Sequence, residues 1–222
     1  QRLDPKKMIA TVKVVGKIEY EEEIILRNEL SVLEAEGYKL KLNAIQLNTA
    51  GGNRYAAMQM GKLIRERKLN TYVAKDSRCD SACIFVVSGG LVRMVYGNVR
   101  VHRPSHSEEM PANKIEKFLK IGDQDMAEYM NKMGLSQLVM DAILMTPNWA
   151  TRELTEQELR RWGVNATDRI YEEMWFRNTA ANTKHSLEEV RDIFSKEIDS
   201  CVKMPLRFEM TLWDCVASRI PK

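Results

Sequence analysis

The stretch "RCDSACIF", residues 78–85, sets one serine, Ser81, between Cys79 and Cys83 and directly before a hydrophobic run. A serine hydroxyl attacks an acyl carbon when a base takes its proton and N–H donors meet the developing oxyanion. Residues of both kinds lie close by. His102 follows the strand-like "NVRV" and precedes the irregular "RPSHS". Gly51 and Gly52 follow the strand-like "LKLNAIQLN", and adjacent glycines let a backbone turn so that N–H groups face outward. A serine between a strand and a helix sits at the positive end of the helix dipole, beside free backbone N–H groups, here that of Ala82. The set is then Ser81 as nucleophile, His102 as general base, and Gly51 or Gly52 with Ala82 as oxyanion donors. Each residue has a simpler reading too. Ser81 is a good helix N-cap, His102 an ordinary strand-end histidine, and Gly51–Gly52 a tight turn. Order and spacing make the case for chemistry.

The cysteines admit several readings. Cys79 and Cys83 are too few for zinc, which wants four ligands. His102 and His106 would complete a Cys₂His₂ set, but not at a zinc-finger spacing, so no metal and no cofactor is expected. A redox pair is possible at a helix N-terminus, where a thiol pKa falls. A structural disulfide across the serine turn is another reading. Cys201 and Cys215 would close a loop of about 15 residues, worth roughly 3 kcal/mol in the chain-entropy model. Four cysteines in two close pairs lean toward an oxidising compartment, where disulfides persist; the alternative is four buried thiols.

The elements that position these residues follow from periodicity. Residues 9–19 alternate apolar and β-branched with polar residues, as a strand does. Residues 21–36 read as an amphipathic helix closed by Gly37, and residues 53–67 as another. "NTYVAKD" is a short strand, "CIFVVSGG" a buried helix, and "RMVYGNVRVH" one or two strands around Gly97. This alternation over residues 9–102 predicts an α/β domain with a largely parallel sheet. Beyond it, Ile115, Leu119, Met126, Tyr129, Met130 and Met133 share one face of a helix over 112–133. A helix is expected over 135–145. "LTEQELRRWG" has Thr155 as N-cap, Glu158 three residues on and Gly163 as stop. From residue 168 the pattern is helical or irregular, without strand alternation, and His185 is expected on the surface.

Composition excludes several classes. The net charge of +3 comes without a block of Lys and Arg, which argues against nucleic acid. No apolar run reaches membrane-spanning length. Gln1 at the start fits a removed signal peptide.

The segment "IQLNTAGGNRYAAMQMGKLIRERKLNTYVAKDSRCDSACIFVVSGGLVRMVYGNVRVHRP" resembles the proteolytic subunit of Clp protease and its periplasmic relatives, members of the ClpP/crotonase superfamily. In that family a strand ends in Asn-Ser-Pro-Gly-Gly, matched here by Asn48 to Gly52. The nucleophile stands in Ala-Ser-Met-Gly or Cys-x-Ser-Ala-Cys, matched by Cys79 to Cys83. The base histidine matches His102, and a late Leu-Ser/Thr-x-x-Glu element matches Leu154 to Gly163. The resemblance spans about residues 9–167. It implies a ClpP/crotonase-like core of repeated β-β-α units over residues 1–167, with a handle-like helical region near 105–145, and a mainly helical extension over 168–222. It implies a serine hydrolase, a peptidase acting on peptides or proteins, homo-oligomeric and without cofactor, in the periplasm or secreted, with the cytoplasm as alternative. The family's aspartate has no counterpart: Thr151 stands about where it belongs, with Asn148 the other candidate third member. Its absence sustains the alternative of a weakly active or inactive binding or assembly protein. A crotonase-type enzyme acting on coenzyme A thioesters is a third possibility.

Overall fold

Strand β1 (Ile9–Ile18) leads through helix α1 (Glu22–Ala35) to the long strand β2 (Lys39–Gly52), on which the rest of the sheet is built. The structure, a computed structural model, describes residues 9–105, 112–203 and 212–221. Helix α2 (Arg54–Glu66), strands β3 (Asn70–Val73) and β4 (Arg78–Asp80), helix α3 (Cys83–Ser88), and strands β5 (Arg93–Val95) and β6 (Asn98–Val101) follow. The seven-stranded sheet runs β5-β3-β2-β4-β6-β7, with β1 also on β2. Every pairing is parallel except that of β6 with the two-residue β7 (Arg152–Glu153). Parallel neighbours need crossovers, and α1, α2 and α3 supply them.

β2 holds the sheet together because it pairs with three strands at once. Its Ala44–Leu47 segment lies on β3, Thr49 lies on Cys79 of β4, and the β1 ladder runs along its whole length. The β1–β2 register breaks twice, after Ala10 and after Gly16. Leu42 and Asn43, both at positive φ, absorb the first break. Such bulges bend a strand and raise its twist, and the sheet is curled. Gly51 and Gly52, expected as a turn, are instead the last residues of β2, opposite Lys17 and Ile18.

The core lies between the sheet and α2 to α5. Ile45 and Leu47 of β2, Met60, Leu63 and Ile64 of α2, and Ile84 and Val87 of α3 are all buried. Helix α4 (Ala112–Lys132) adds Met126, Tyr129 and Met130, and α5 (Gln137–Met145) adds Val139, Met140 and Ile143. The apolar face read on residues 112–133 therefore packs in the core over its second half; the Ile115 side chain and His106 lie outside the described residues. Two glycines let α2 and α3 touch: a Cβ on Gly89 would stand 2.2 Å from the Gly61 carbonyl oxygen. Tyr129 closes this contact by donating its hydroxyl to the Phe85 carbonyl at 2.5 Å. Helix α6 (Glu156–Arg161) begins with the expected capping box between Thr155 and Glu158.

Helices α7 (Arg169–Asn182), α8 (Leu187–Lys203) and α9 (Leu212–Ala217) form the rest. They carry a hydrophobic cluster of their own, built on Phe176, Val190, Phe194, Trp213 and Val216 and tied by a Cys201–Cys215 disulfide. Phe194 stacks on Trp213 at 5.1 Å between centroids, and Trp175 meets both rings. His185 is half-buried rather than superficial, its Nε2 2.9 Å from the Pro221 carbonyl oxygen. The helical C-terminal part is joined to the sheet through Asp168, the N-cap of α7. Its carboxylate receives both nitrogens of Arg65, at 2.6 and 2.9 Å, and Arg93 at 2.7 Å. Arg93 is wholly buried and donates also to the carbonyls of Ser88, Gly90, Met133 and Gly163. Burial lowers the Arg93 pKa to about 10, against the opposing pull of Asp168, so it remains a cation at neutral pH.

Candidate active site

The serine turn begins where β4 ends. Asp80 is the last residue of β4 and pairs in register with Arg100 of β6. The Arg100 guanidinium forks onto the Asp80 carboxylate at 2.8 and 3.1 Å. One residue on, the Ser81 N–H donates to the Arg100 carbonyl at 2.7 Å. Ser81 itself sits at φ +53°, a left-handed conformation that non-glycine residues adopt at a cost. The chain thereby reverses at once into α3, and the Ile84 N–H reaches back to the Ser81 carbonyl at 3.1 Å. The N-cap of α3 is Ala82 rather than Ser81, and no side chain caps this helix. Six residues make a short helix, so its dipole adds little. The Ser81 hydroxyl is left without a hydrogen-bond partner among the described residues, as is the Ala82 N–H.

Gly51 packs directly on this turn. A Cβ at Gly51 would stand 2.4 Å from the Asp80 carbonyl oxygen, 2.7 Å from Ser81 Cβ and 2.9 Å from the Ala82 nitrogen. Its φ of +83° also excludes most side chains. The end of β2 and the serine turn are therefore one packed unit. The Gly51 N–H donates to Thr49 Oγ1 at 3.0 Å, and that hydroxyl donates onward to the Gly16 carbonyl at 2.6 Å. Gly52 lies against β1: a Cβ there would be 2.2 Å from the Ile18 carbonyl oxygen. Gly51→Ala is thus expected to displace the serine turn rather than merely to strain β2. A crystal structure of the variant should show Ser81 moved away from β2, and acylation of Ser81 should fall at least tenfold.

His102 stands one residue past β6, two residues beyond the Arg100 that holds Ser81 and Asp80. β4 and β6 are parallel neighbours with Asp80 opposite Arg100, so Ser81 and His102 both follow the carboxyl ends of adjacent strands. No hydrogen bond joins Ser81 Oγ to the imidazole among the described residues. The His102 Nδ1 lies 2.9 Å from the Arg103 carbonyl oxygen. A carbonyl only accepts, so this contact needs the proton on Nδ1, and in a neutral ring Nε2 is then the basic nitrogen. Arg103 is itself fixed, its N–H bonded to the Thr146 carbonyl at 2.8 Å. Neither candidate third member is hydrogen-bonded to the ring among the described residues. Asn148 and Thr151 are exposed, and neither side chain makes a hydrogen bond among the described residues. The group behind the imidazole is a backbone carbonyl, which no side-chain reading could have named.

Cys79 and Cys83 are joined by a disulfide that spans the serine turn, Cα to Cα 5.1 Å, both cysteines fully buried. No cluster of metal-ligating residues exists among the described residues. No described helix is long and apolar enough to cross a membrane.

No family model matches the sequence, and no curated protein matches it. The solved structures that match include a mutant of the 1510-N membrane-bound stomatin-specific protease. It superimposes with a TM-score of 0.50 at 15% identity, over 71% of this chain and 77% of that one. The fold is ClpP-like. An identity this low speaks for the architecture alone, and the curled, mostly parallel ClpP-like sheet with its helical C-terminal part is the architecture expected from the sequence.

Proposed function

We propose that this chain is a ClpP-like serine hydrolase, a peptidase, with Ser81 as nucleophile and His102 as general base. The observation that carries the reading is the packing of Gly51 against Ser81 and Ala82. It sets a hydroxyl without a partner beside an N–H without a partner among the described residues, at the end of β4, next to the end of β6 that His102 follows. In the reaction Ser81 Oγ attacks the acyl carbon, its proton passes to His102 Nε2, and the oxyanion takes the Ala82 N–H. A two-donor oxyanion hole at Gly51 requires that N–H to leave Thr49 Oγ1; Gly52 is the other source. The imidazolium then returns its proton to the leaving amine, and water releases the acyl group by the same steps in reverse. The Arg103 carbonyl holds the productive tautomer but supplies no negative charge, so the imidazolium is less stabilised than beside a carboxylate. A slow hydrolase is the expected result. The substrate class, peptide or protein, rests on the name of the structural neighbour. The two disulfides support residence in an oxidising compartment such as the periplasm.

Turnover of a nitrophenyl ester and of an unstructured protein such as casein tests this. The protein is expected to hydrolyse both slowly, and Ser81→Ala to remove both activities while leaving the circular dichroism spectrum unchanged. Activity that survives in Ser81→Ala would refute the assignment. One observation favours a second reading, a binding or assembly protein on the same fold. The imidazole has a carbonyl rather than a carboxylate behind it and no bond to Ser81. Complete inactivity of the folded protein on both substrates would select it.

A further inference from the structure

We infer that the Cys79–Cys83 disulfide is a positioning element for Ser81: it holds the left-handed serine turn in its reactive form rather than stabilising the fold as a whole. The inference deepens the hydrolase reading and rests on it for its functional consequence. Three observations converge. The bond joins the middle of β4 to the first residue of α3 and encloses Asp80, Ser81 and Ala82, so the nucleophile lies inside the smaller of the two disulfide rings. Ser81 stands at φ +53°, a conformation that persists only where its surroundings over-determine it. The non-covalent restraints on the turn hold mainly its two ends. Asp80 pairs with Arg100 in the ladder and through its carboxylate, and the Phe85 N–H donates to the Ala82 carbonyl at 3.1 Å. Ser81 itself has its N–H to Arg100, its carbonyl to the Ile84 N–H, and the contact with Gly51.

The two disulfides of the chain differ in what they can do. Cys201–Cys215 spans 14 residues and ties the C-terminal helices, whereas Cys79–Cys83 spans four. Restriction of the unfolded chain grows with the length of the closed loop, so the short ring acts the less through the unfolded state. Its local effect is large because both sulfurs are buried in the core beside β2. Without the bond, Cys79 and Cys83 remain anchored as small hydrophobic side chains in β4 and α3, and the three residues between them regain freedom to leave the left-handed turn. The effect is confined to the site.

The test uses the full chain carrying Cys201→Ser and Cys215→Ser, so that only the short pair can change redox state. It is refolded from denaturant in two portions, oxidised and reduced. In the reduced portion dithiothreitol gives two electrons to the sulfur–sulfur bond, each cysteine sulfur takes one proton, and dithiothreitol closes to its own cyclic disulfide. A thiol titration confirms two thiols in one portion and none in the other. The double variant Cys79→Ala/Cys83→Ala in the otherwise unaltered chain is the second arm. Two readings are taken: the rate of fluorophosphonate labelling at Ser81, and amide hydrogen exchange across residues 80–84 and across β2. The expected result is a fall in labelling rate of at least tenfold and exchange at least tenfold faster at 80–84, with β2 unchanged. Equal labelling and equal exchange in the two forms would overturn the inference. So would loss of folded structure in both reduced and alanine forms, since the bond would then serve global folding. If the oxidised protein fails to label, the hydrolase reading falls, while faster exchange confined to 80–84 still supports the positioning role.

Discussion

Asp168→Ala is expected to destabilise the protein by about 3–5 kcal/mol, because it leaves a buried cation without its counter-ion. Arg93 has no route to water: it is enclosed at 0% side-chain exposure by four carbonyls and one carboxylate. The carbonyls satisfy its N–H groups but not its charge. The lowered pKa, about 10, states that burial already outweighs the help Asp168 gives, so removing that help deepens an existing penalty. Three further contacts go with the carboxylate: both donors from Arg65 and the N-cap bond from the Tyr171 N–H at 2.8 Å. Losing an N-cap alone costs about 1 kcal/mol. Asp168→Asn separates the two parts, since its side-chain oxygen can still accept from Tyr171 while the charge is gone. Urea unfolding of the three proteins should give midpoints in the order native, Asn, Ala. A midpoint for Asp168→Ala equal to the native one would show that this network is not what joins α7 to the sheet.

The second large effect concerns rate. His102→Ala is expected to slow acylation of Ser81 by about 10²–10⁴-fold, the range for a positioned general base. The lower half is the better expectation here. A base oriented by the Arg103 carbonyl has the right tautomer but gains no ion-pair stabilisation when it takes the proton. Added imidazole should restore part of the rate in His102→Ala, as a small base diffusing into the space left behind. An unchanged rate in His102→Ala would remove the histidine from the mechanism, whatever becomes of Ser81.

Much of this was legible in the sequence because it depends on neighbours in the chain. The alternation in residues 9–19 placed β1 within one residue, the 3.6-residue period placed α1, α2 and α4, and Thr155 with Glu158 gave a complete capping box. The two cysteine pairs were visible as pairs, and the disulfide across the serine turn was one of the open readings. What sequence reasoning missed depends on three dimensions. Gly51 and Gly52 read as a turn because glycine pairs usually are; they remain in β2 because Ile18 and the serine turn press on either side and leave room for no side chain. Ser81 read as an N-cap because serine favours that position. Its left-handed φ goes with contacts to Arg100 and Gly51, neither adjacent to it in the chain, and with the disulfide ring that encloses it. Asp168, Arg93 and Arg65 are far apart in sequence and on three different elements, so no local pattern joins them. The group behind His102 is a main-chain carbonyl and leaves no trace in residue types.

The most direct test of the central claim is the fate of the Ser81 hydroxyl. Folded protein treated with a fluorophosphonate and examined by intact mass should gain a single adduct, and peptide mapping should place it on Ser81. Ser81→Ala should gain none, and His102→Ala should gain it far more slowly. A single adduct on Ser81 with that dependence on His102 is what a Ser81–His102 nucleophile predicts. No adduct on the folded protein, or an adduct that forms as fast in His102→Ala, would contradict it.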